Sequence, residues 1–168
     1  IRDRDLYREV NEIAAALKSI GVKENDIVTL HLPMVLELPM TMLACARIGA
    51  PHSEVFAGFS ASALADRVQD ANSEYIVTID GYYRRGEFLN HIEKTDAAVE
   101  EMGGNPTVLV WTRHEKPMVK IKDEYILLKE LQEEHKRECV DPVERDAEDI
   151  LFLMYTSGTT GKPKGCQH

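Results

Sequence analysis

Residues 155–165 read Tyr-Thr-Ser-Gly-Thr-Thr-Gly-Lys-Pro-Lys-Gly, a combination suited to holding a polyanion. Gly158, Gly161 and Gly165 allow the backbone to come close to a ligand and to turn its N–H groups inward. Thr156, Ser157, Thr159 and Thr160 add hydroxyl donors, and Lys162 and Lys164 add positive charge. The stretch follows the apolar run Asp149–Tyr155 (DILFLMY), which reads as a strand. Ligands of open α/β sheets bind outside the carboxyl ends of strands, where this stretch would lie. It is not a Walker A loop, which needs four residues between its glycines and a Ser or Thr directly after the lysine. Here only Thr159 and Thr160 separate Gly158 from Gly161, and Pro163 follows Lys162. Pro163 also argues against an immediate helix, so the phosphate is not held at a helix N-terminus. The competing reading is a flexible Gly/Ser/Thr/Lys tail. Eleven ordered positions directly after an apolar strand favour the cradle.

The histidines and cysteines form no comparable set. His135 and Cys139 stand four apart on an expected helix, a spacing that can hold a metal. Two ligands with no others nearby read instead as a solvated helix face, and no metal site is expected. Cys45, Cys139 and Cys166 are odd in number, far apart and without a CxxC pair. That usage fits a reducing cytosol, so a cytoplasmic location is expected. The formal charge of −9, from 20 basic and 29 acidic residues, repels nucleic-acid backbones and anionic membrane leaflets. Neither is expected as a partner. No apolar run approaches the ~20 residues of a transmembrane helix, and the start carries no signal-peptide pattern.

The elements that must position the cradle follow from periodicity. Leu6, Val10, Ile13, Leu17 and Ile20 share one face of a helix that Gly21 can end. Asp26–Leu32 reads as a strand. Leu38, Met42, Cys45 and Ala46 mark a second helix, with Pro39 in its first turn. His52–Phe56 is a short strand, and Ser60 can cap a helix carrying Leu64, Ala65 and Val68. Tyr75–Ile79 is a strand, a polar helix is expected over roughly Glu87–Glu101, and Thr107–Trp111 is another strand. Glu124–Glu134 reads as helical, with a hairpin through Val119–Tyr125 as the alternative. The polar region Lys129–Asp149 reads as a surface excursion. Strands alternating with helices imply an α/β fold built on a mostly parallel sheet.

Residues Tyr155–Gly165 resemble the signature loop of the adenylate-forming superfamily, which includes acyl-CoA synthetases, peptide-synthetase adenylation domains and luciferases. His168 also matches a position where that family often has histidine. Within the superfamily, Met40–His52, Gly58-Phe59-Ser60, Ala63–Arg67 and Ile79–Gly86 are similar to the short-chain members, the AMP-forming acetyl- and propionyl-CoA synthetases. The likeness runs from Leu6 onward and weakens across Lys94–Glu148.

By this resemblance, residues 1–168 are part of the large N-terminal AMP-binding domain, incomplete and ending just after the phosphate-binding loop. Thr156, Ser157, Gly158, Thr159, Thr160, Gly161, Lys162 and Lys164 would bind the ATP phosphates, with the two lysines balancing leaving-group charge. Arg84, Arg85, Gly86 and Glu87 match the segment that touches the nucleotide end of coenzyme A. Arg84 falls on a family arginine. Glu87 falls where the family usually has Arg or Lys, so its charge departs from the pattern. The alternative for Arg84 and Arg85 is a solvated helix start. ATP, Mg²⁺, CoA and acetate or propionate are the implied reactants. Another carboxylic acid, or a non-catalytic nucleotide-binding module, is the competing function. The chain alone is expected to be inactive and prone to self-association through exposed apolar surface.

Overall fold

The computed structural model describes residues 2–156 and 164–168. The first helix, α1 (Asp3–Ser19), buries Val10, Ile13, Ala14 and Leu17 along one stripe. Asp3 and Asp5 in its first turn and Lys18 in its last match the helix dipole. Gly21 follows at a φ of 101°, where a side chain would be strained. The chain then enters β1 (Val28–Leu30), passes through α2 (Glu37–Arg47), and returns as β2 (His52–Glu54). Pro39 sits in the first turn of α2, where its missing N–H costs little.

Helix α3 (Ala61–Asp70) starts as expected, the Ser60 hydroxyl accepting the Ala63 N–H at 3.2 Å. Next come β3 (Tyr75–Ile79), β4 (Gly81–Arg84), β5 (Glu87–Asn90), α4 (Ile92–Met102) and β6 (Thr107–Trp111). The described elements close with β7 (Ile126–Leu127), α5 (Leu128–Glu134), β8 (Phe152–Thr156) and β9 (Lys164–Gln167).

Seven strands form one sheet in the order β7-β6-β3-β1-β2-β8-β9. All neighbours are parallel except β8 and β9. The fold is therefore α/β with a mostly parallel sheet. Tyr75, Val77 and Ile79 point to one face and pack with Ile13, Leu17, Ala44, Cys45 and Leu128 of α1, α2 and α5. Ile76, Val108 and Val110 point to the other and pack with Leu64, Val68, Ile92 and Ala98 of α3 and α4. Strands covered on both faces read as continuous apolar runs, which is why Tyr75–Ile79 and Thr107–Trp111 were legible end to end.

Two expectations need correction. Glu87–Asn90 is not the start of a helix but the return strand of a two-stranded hairpin with β4, and α4 begins only at Ile92. At the chain's far end α5 stops at Glu134, with His135 as its C-cap, so His135 and Cys139 do not share a helix face. The excursion after α5 does run over the surface, yet it is pinned. Val140 N donates to Asn11 Oδ1 at 2.9 Å, Arg137 N to Glu12 Oε1 at 2.9 Å, and Arg47 Nε to the Val140 carbonyl at 2.6 Å.

Candidate functional site

Neighbouring strands β1 and β2 send their crossovers to opposite faces of the sheet, α2 to the side of α1 and α3 to the side of α4. Where adjacent crossovers diverge, the carboxyl edge of a parallel sheet is left with a crevice. The crevice here is a cleft of about 360 Å³. Pro33–Val35 after β1, Phe56–Gly58 after β2, Tyr82–Arg84 of the hairpin and Arg113 after β6 line it. Phe56 and Met34 are 63% and 91% exposed, so the apolar wall faces solvent. Arg84 and Arg113 add two guanidinium groups. An exposed apolar wall in a cleft lined by two arginines suits a base that carries phosphate. A larger hollow of about 800 Å³ opens at the opposite edge, between Asn72, Glu74, Met102 and Asn105, and no basic side chain lines it.

The hairpin that delivers Arg84 has little freedom. Arg84 pairs with Glu87 across a two-residue turn in which Arg85 and Gly86 have φ of 53° and 86°. Two positive φ values match the twist of a right-handed ribbon, as two-residue hairpin loops require. At its base Gly81 lies against Phe88 and the Leu89 carbonyl, and an added Cβ would come within 2.6 Å of that oxygen. Of the four residues assigned to coenzyme A, Arg84 lines the cleft. Arg85, Gly86 and Glu87 occupy the exposed tip. The turn displaces the solvated helix start as the alternative for Arg84 and Arg85.

Ser157, Gly158, Thr159, Thr160, Gly161 and Lys162 lie outside the described residues. Their flanks are well placed. Thr156 pairs with Lys164 and Tyr155 with Gly165 across the antiparallel β8–β9 ladder. Because β8 runs parallel to β2, Thr156 leaves the sheet on the same edge as Phe56. Helix α3 anchors this exit. The Tyr155 hydroxyl donates to Asp70 Oδ2 at 2.9 Å, and the Arg67 guanidinium lies 4.4 Å from the Phe59 ring and 5.5 Å from the Tyr155 ring. Burial, with Asp70 beside it, raises the Tyr155 pKa well above that of an ordinary phenol, so the hydroxyl keeps its proton. His168 closes the ladder, its ring stacked 4.8 Å from that of Phe152.

The sequence reading missed Phe56, Tyr82 and Arg113 as cleft residues. Phe56 and Arg113 each stand two residues after a strand of the sheet, which was the available signal, and Tyr82 lies within β4. His135 Nδ1 bonds Glu138 Oε1 at 3.0 Å, and among the described residues no three His, Cys, Asp or Glu side chains gather as a metal site.

The sequence family described as "AMP-binding enzyme" matches residues 4–168. The chain is 49% identical over 165 residues to the acetyl-coenzyme A synthetase of Methanothrix thermoacetophila, covering 97% of this chain and 25% of that protein. It is 48% identical over 168 residues to the acetyl-coenzyme A synthetase of Pyrobaculum aerophilum, covering 98% of this chain and 25% of the relative. The 3-hydroxypropionyl-coenzyme A synthetase of Sulfurisphaera tokodaii is 44% identical over 170 residues, covering 98% of this chain and 25% of its own length. The chain thus spans about a quarter of the length of the curated relatives it matches.

Proposed function

The chain belongs to the AMP-binding enzyme family, and on that premise we propose that its whole protein is an AMP-forming acetate–CoA ligase. In the first step a carboxylate oxygen attacks the α-phosphorus of ATP, forming acyl-AMP and releasing pyrophosphate. In the second the CoA thiol attacks the acyl carbon, the thioester forms, and AMP leaves. Residues 1–168 contribute the phosphate-binding and CoA-facing parts of a nucleotide-binding domain.

The observation that carries this reading is the pairing of Thr156 with Lys164 at the carboxyl edge of the sheet, beside a cleft bearing two guanidiniums. Thr156, Ser157, Thr159 and Thr160 bond phosphate oxygens, the backbone at Gly158 and Gly161 approaches them, and Lys162 and Lys164 offset charge as pyrophosphate departs. Phosphoryl-group chemistry of this kind depends on positioning and electrostatic stabilisation. Mg²⁺ enters with the nucleotide, and no described residue is assigned to hold it. Arg84 meets the phosphates of CoA in the cleft, with Arg85, Gly86 and Glu87 bordering it.

Acetate-dependent ATP–pyrophosphate exchange by the whole protein tests the first step. Lys162→Ala and Lys164→Ala are each expected to slow exchange by about a hundredfold to a thousandfold, the scale for losing one charge-stabilising group. Unchanged exchange in both would overturn the assignment. The relative that acts on 3-hydroxypropionate favours a second reading for the acid. Exchange driven by 3-hydroxypropionate and not by acetate or propionate would establish it. No exchange with any of these acids would leave a nucleotide-binding module.

A further inference from the structure

One residue reaches both guanidinium-bearing walls of the cleft. Asp80 stands directly after β3 and is completely buried. Its Oδ1 accepts the Gly81 N–H at 2.8 Å, at the root of the hairpin that carries Arg84. The same oxygen accepts the Arg113 N–H at 2.9 Å, on the segment leaving β6. The Asp80 backbone joins the same parts. Its N–H donates to the Trp111 carbonyl at 2.9 Å, and its carbonyl accepts from His91 N at 3.0 Å and Ile92 N at 3.2 Å, where the hairpin returns to α4.

A second tie lies further out. The Tyr83 ring of the hairpin meets His114 edge-on at 6.0 Å, and its hydroxyl lies 3.4 Å from His114 Nε2 and 3.6 Å from Met118 Sδ. The hairpin and the segment after β6 are thus held to one another at two depths. Arg84 and Arg113 are brought into one cleft although 29 positions separate them in sequence. Among the described residues the Arg113 guanidinium has no hydrogen bond or ion pair, and the residue is exposed. An exposed cation on a tethered backbone, without an internal partner among the described residues, is available to a ligand.

We propose that Arg113 is a second phosphate-recognising guanidinium of the cleft, and that Asp80 is the positioning residue that sets it opposite Arg84. The proposal rests on the reading of the cleft as the place where the nucleotide end of CoA binds. Two guanidiniums on opposite walls can each offer parallel N–H donors to phosphate oxygens, a geometry one lysine cannot reproduce. Asp80 contacts no ligand. It acts by fixing two backbone N–H groups with one oxygen, so asparagine, which keeps Oδ1, preserves its role and alanine does not.

The test uses the whole protein and two readouts. Thioester formation at varied CoA reports the cleft, and acetate-dependent ATP–pyrophosphate exchange without CoA reports the adenylating half. Arg113→Ala is expected to raise the KM for CoA about tenfold, the effect of losing a charge-assisted hydrogen bond, with exchange within about twofold of the parent. Asp80→Ala should raise it at least as far, since both walls are released, and Asp80→Asn should restore it to within about threefold.

A KM for CoA unchanged in Arg113→Ala overturns the proposal, as does exchange falling in step with thioester formation. Asp80→Asn as impaired as Asp80→Ala overturns the positioning role. Should Asp80→Ala fail to fold, Arg113→Ala still decides, because its exposed side chain supports nothing else described. Arg84→Ala separates the two levels. If it raises the KM for CoA and Arg113→Ala does not, this proposal fails alone. If neither changes it, the CoA reading of the cleft fails with it.

Discussion

Gly81 and Gly86 are both glycines of one hairpin, and the structure gives them different reasons. Gly86 faces open space, so a side chain there meets only the strain of φ at 86°. Gly81 lacks room, because a Cβ would press on Phe88 and approach the Leu89 carbonyl to 2.6 Å. Backbone cannot step aside as a side-chain tip can. Gly81→Ala is therefore expected to cost about 1–3 kcal/mol, as overpacking does. Gly86→Ala should cost about 1–2 kcal/mol from backbone conformation alone. The two also differ in consequence. Only the first moves the strand that carries Arg84, so only it should weaken CoA binding. Thermal melts and CoA titrations of the two variants check this, and equal effects on CoA would refute the role given to Gly81. The sequence marks both positions as glycine and says nothing of which kind each is. Crowding is a property of the partner strand, and that partner becomes known only when Glu87–Asn90 is seen to be a strand.

At the scale of elements, β1, β3 and α4 are joined under the cleft by a buried polar cluster. His31 Nδ1 and Thr95 Oγ1 share a hydrogen bond of 3.3 Å, Thr95 Oγ1 and Thr78 Oγ1 one of 3.0 Å, and His91 Nε2 donates to the His31 carbonyl at 3.0 Å. The two imidazole rings lie 4.2 Å apart. Burial pushes the pKa of His31 down to about 2, with His91 and Lys94 adding to the effect. Burial pushes His91 down to about 4, against the opposing hydrogen bond to the His31 carbonyl. On the neighbouring strand β2, burial also lowers His52 to about 4. An unfolded histidine titrates near ~6.5, so on acidification the unfolded chain takes up protons that the folded chain refuses. Stability is full above that value and falls as pH drops from about 6.5 toward the folded values near 4. Denaturant midpoints should decline between pH 7.5 and pH 5, and His91→Gln should flatten the decline. A slope that His91→Gln leaves unaltered would show that His91 does not drive it. This cluster escaped the sequence reading because His31 and His91 are 60 positions apart and each alone is an ordinary polar residue.

For the whole molecule, the two helical layers bury the central strands completely, and the flank of β8 and β9 is different. Among the described residues β9 is the last strand of the sheet, and all four of its residues are exposed. Leu151 and Met154 are 48% and 49% exposed beside it. An unpaired edge next to apolar side chains invites pairing with another chain. Residues 1–168 alone are expected to self-associate in sedimentation experiments, and a monomer at every concentration tested would disprove this. Among the described residues no helix is long and apolar enough to cross a membrane.

The sequence by itself determined the alternation of helices and strands, because burial on two faces writes apolar runs and helical stripes directly into local composition. It also carried the polyanion-holding character proposed for residues 155–165. Glycine freedom, hydroxyl donors and lysine charge are properties of the residues, whatever surrounds them. The tie of Tyr155 to Arg67 and Asp70 was not legible, since α3 and β8 are far apart in the chain. Tertiary structure alone decided that Glu87–Asn90 is a strand. Its four residues suit either state, and two positive φ values at Arg85 and Gly86 settle the turn. It alone decided the sheet order and the placing of Arg84 and Arg113 along one cleft. Strand neighbours are chosen by long-range packing, and a side chain's partners are fixed only once the strands have chosen theirs.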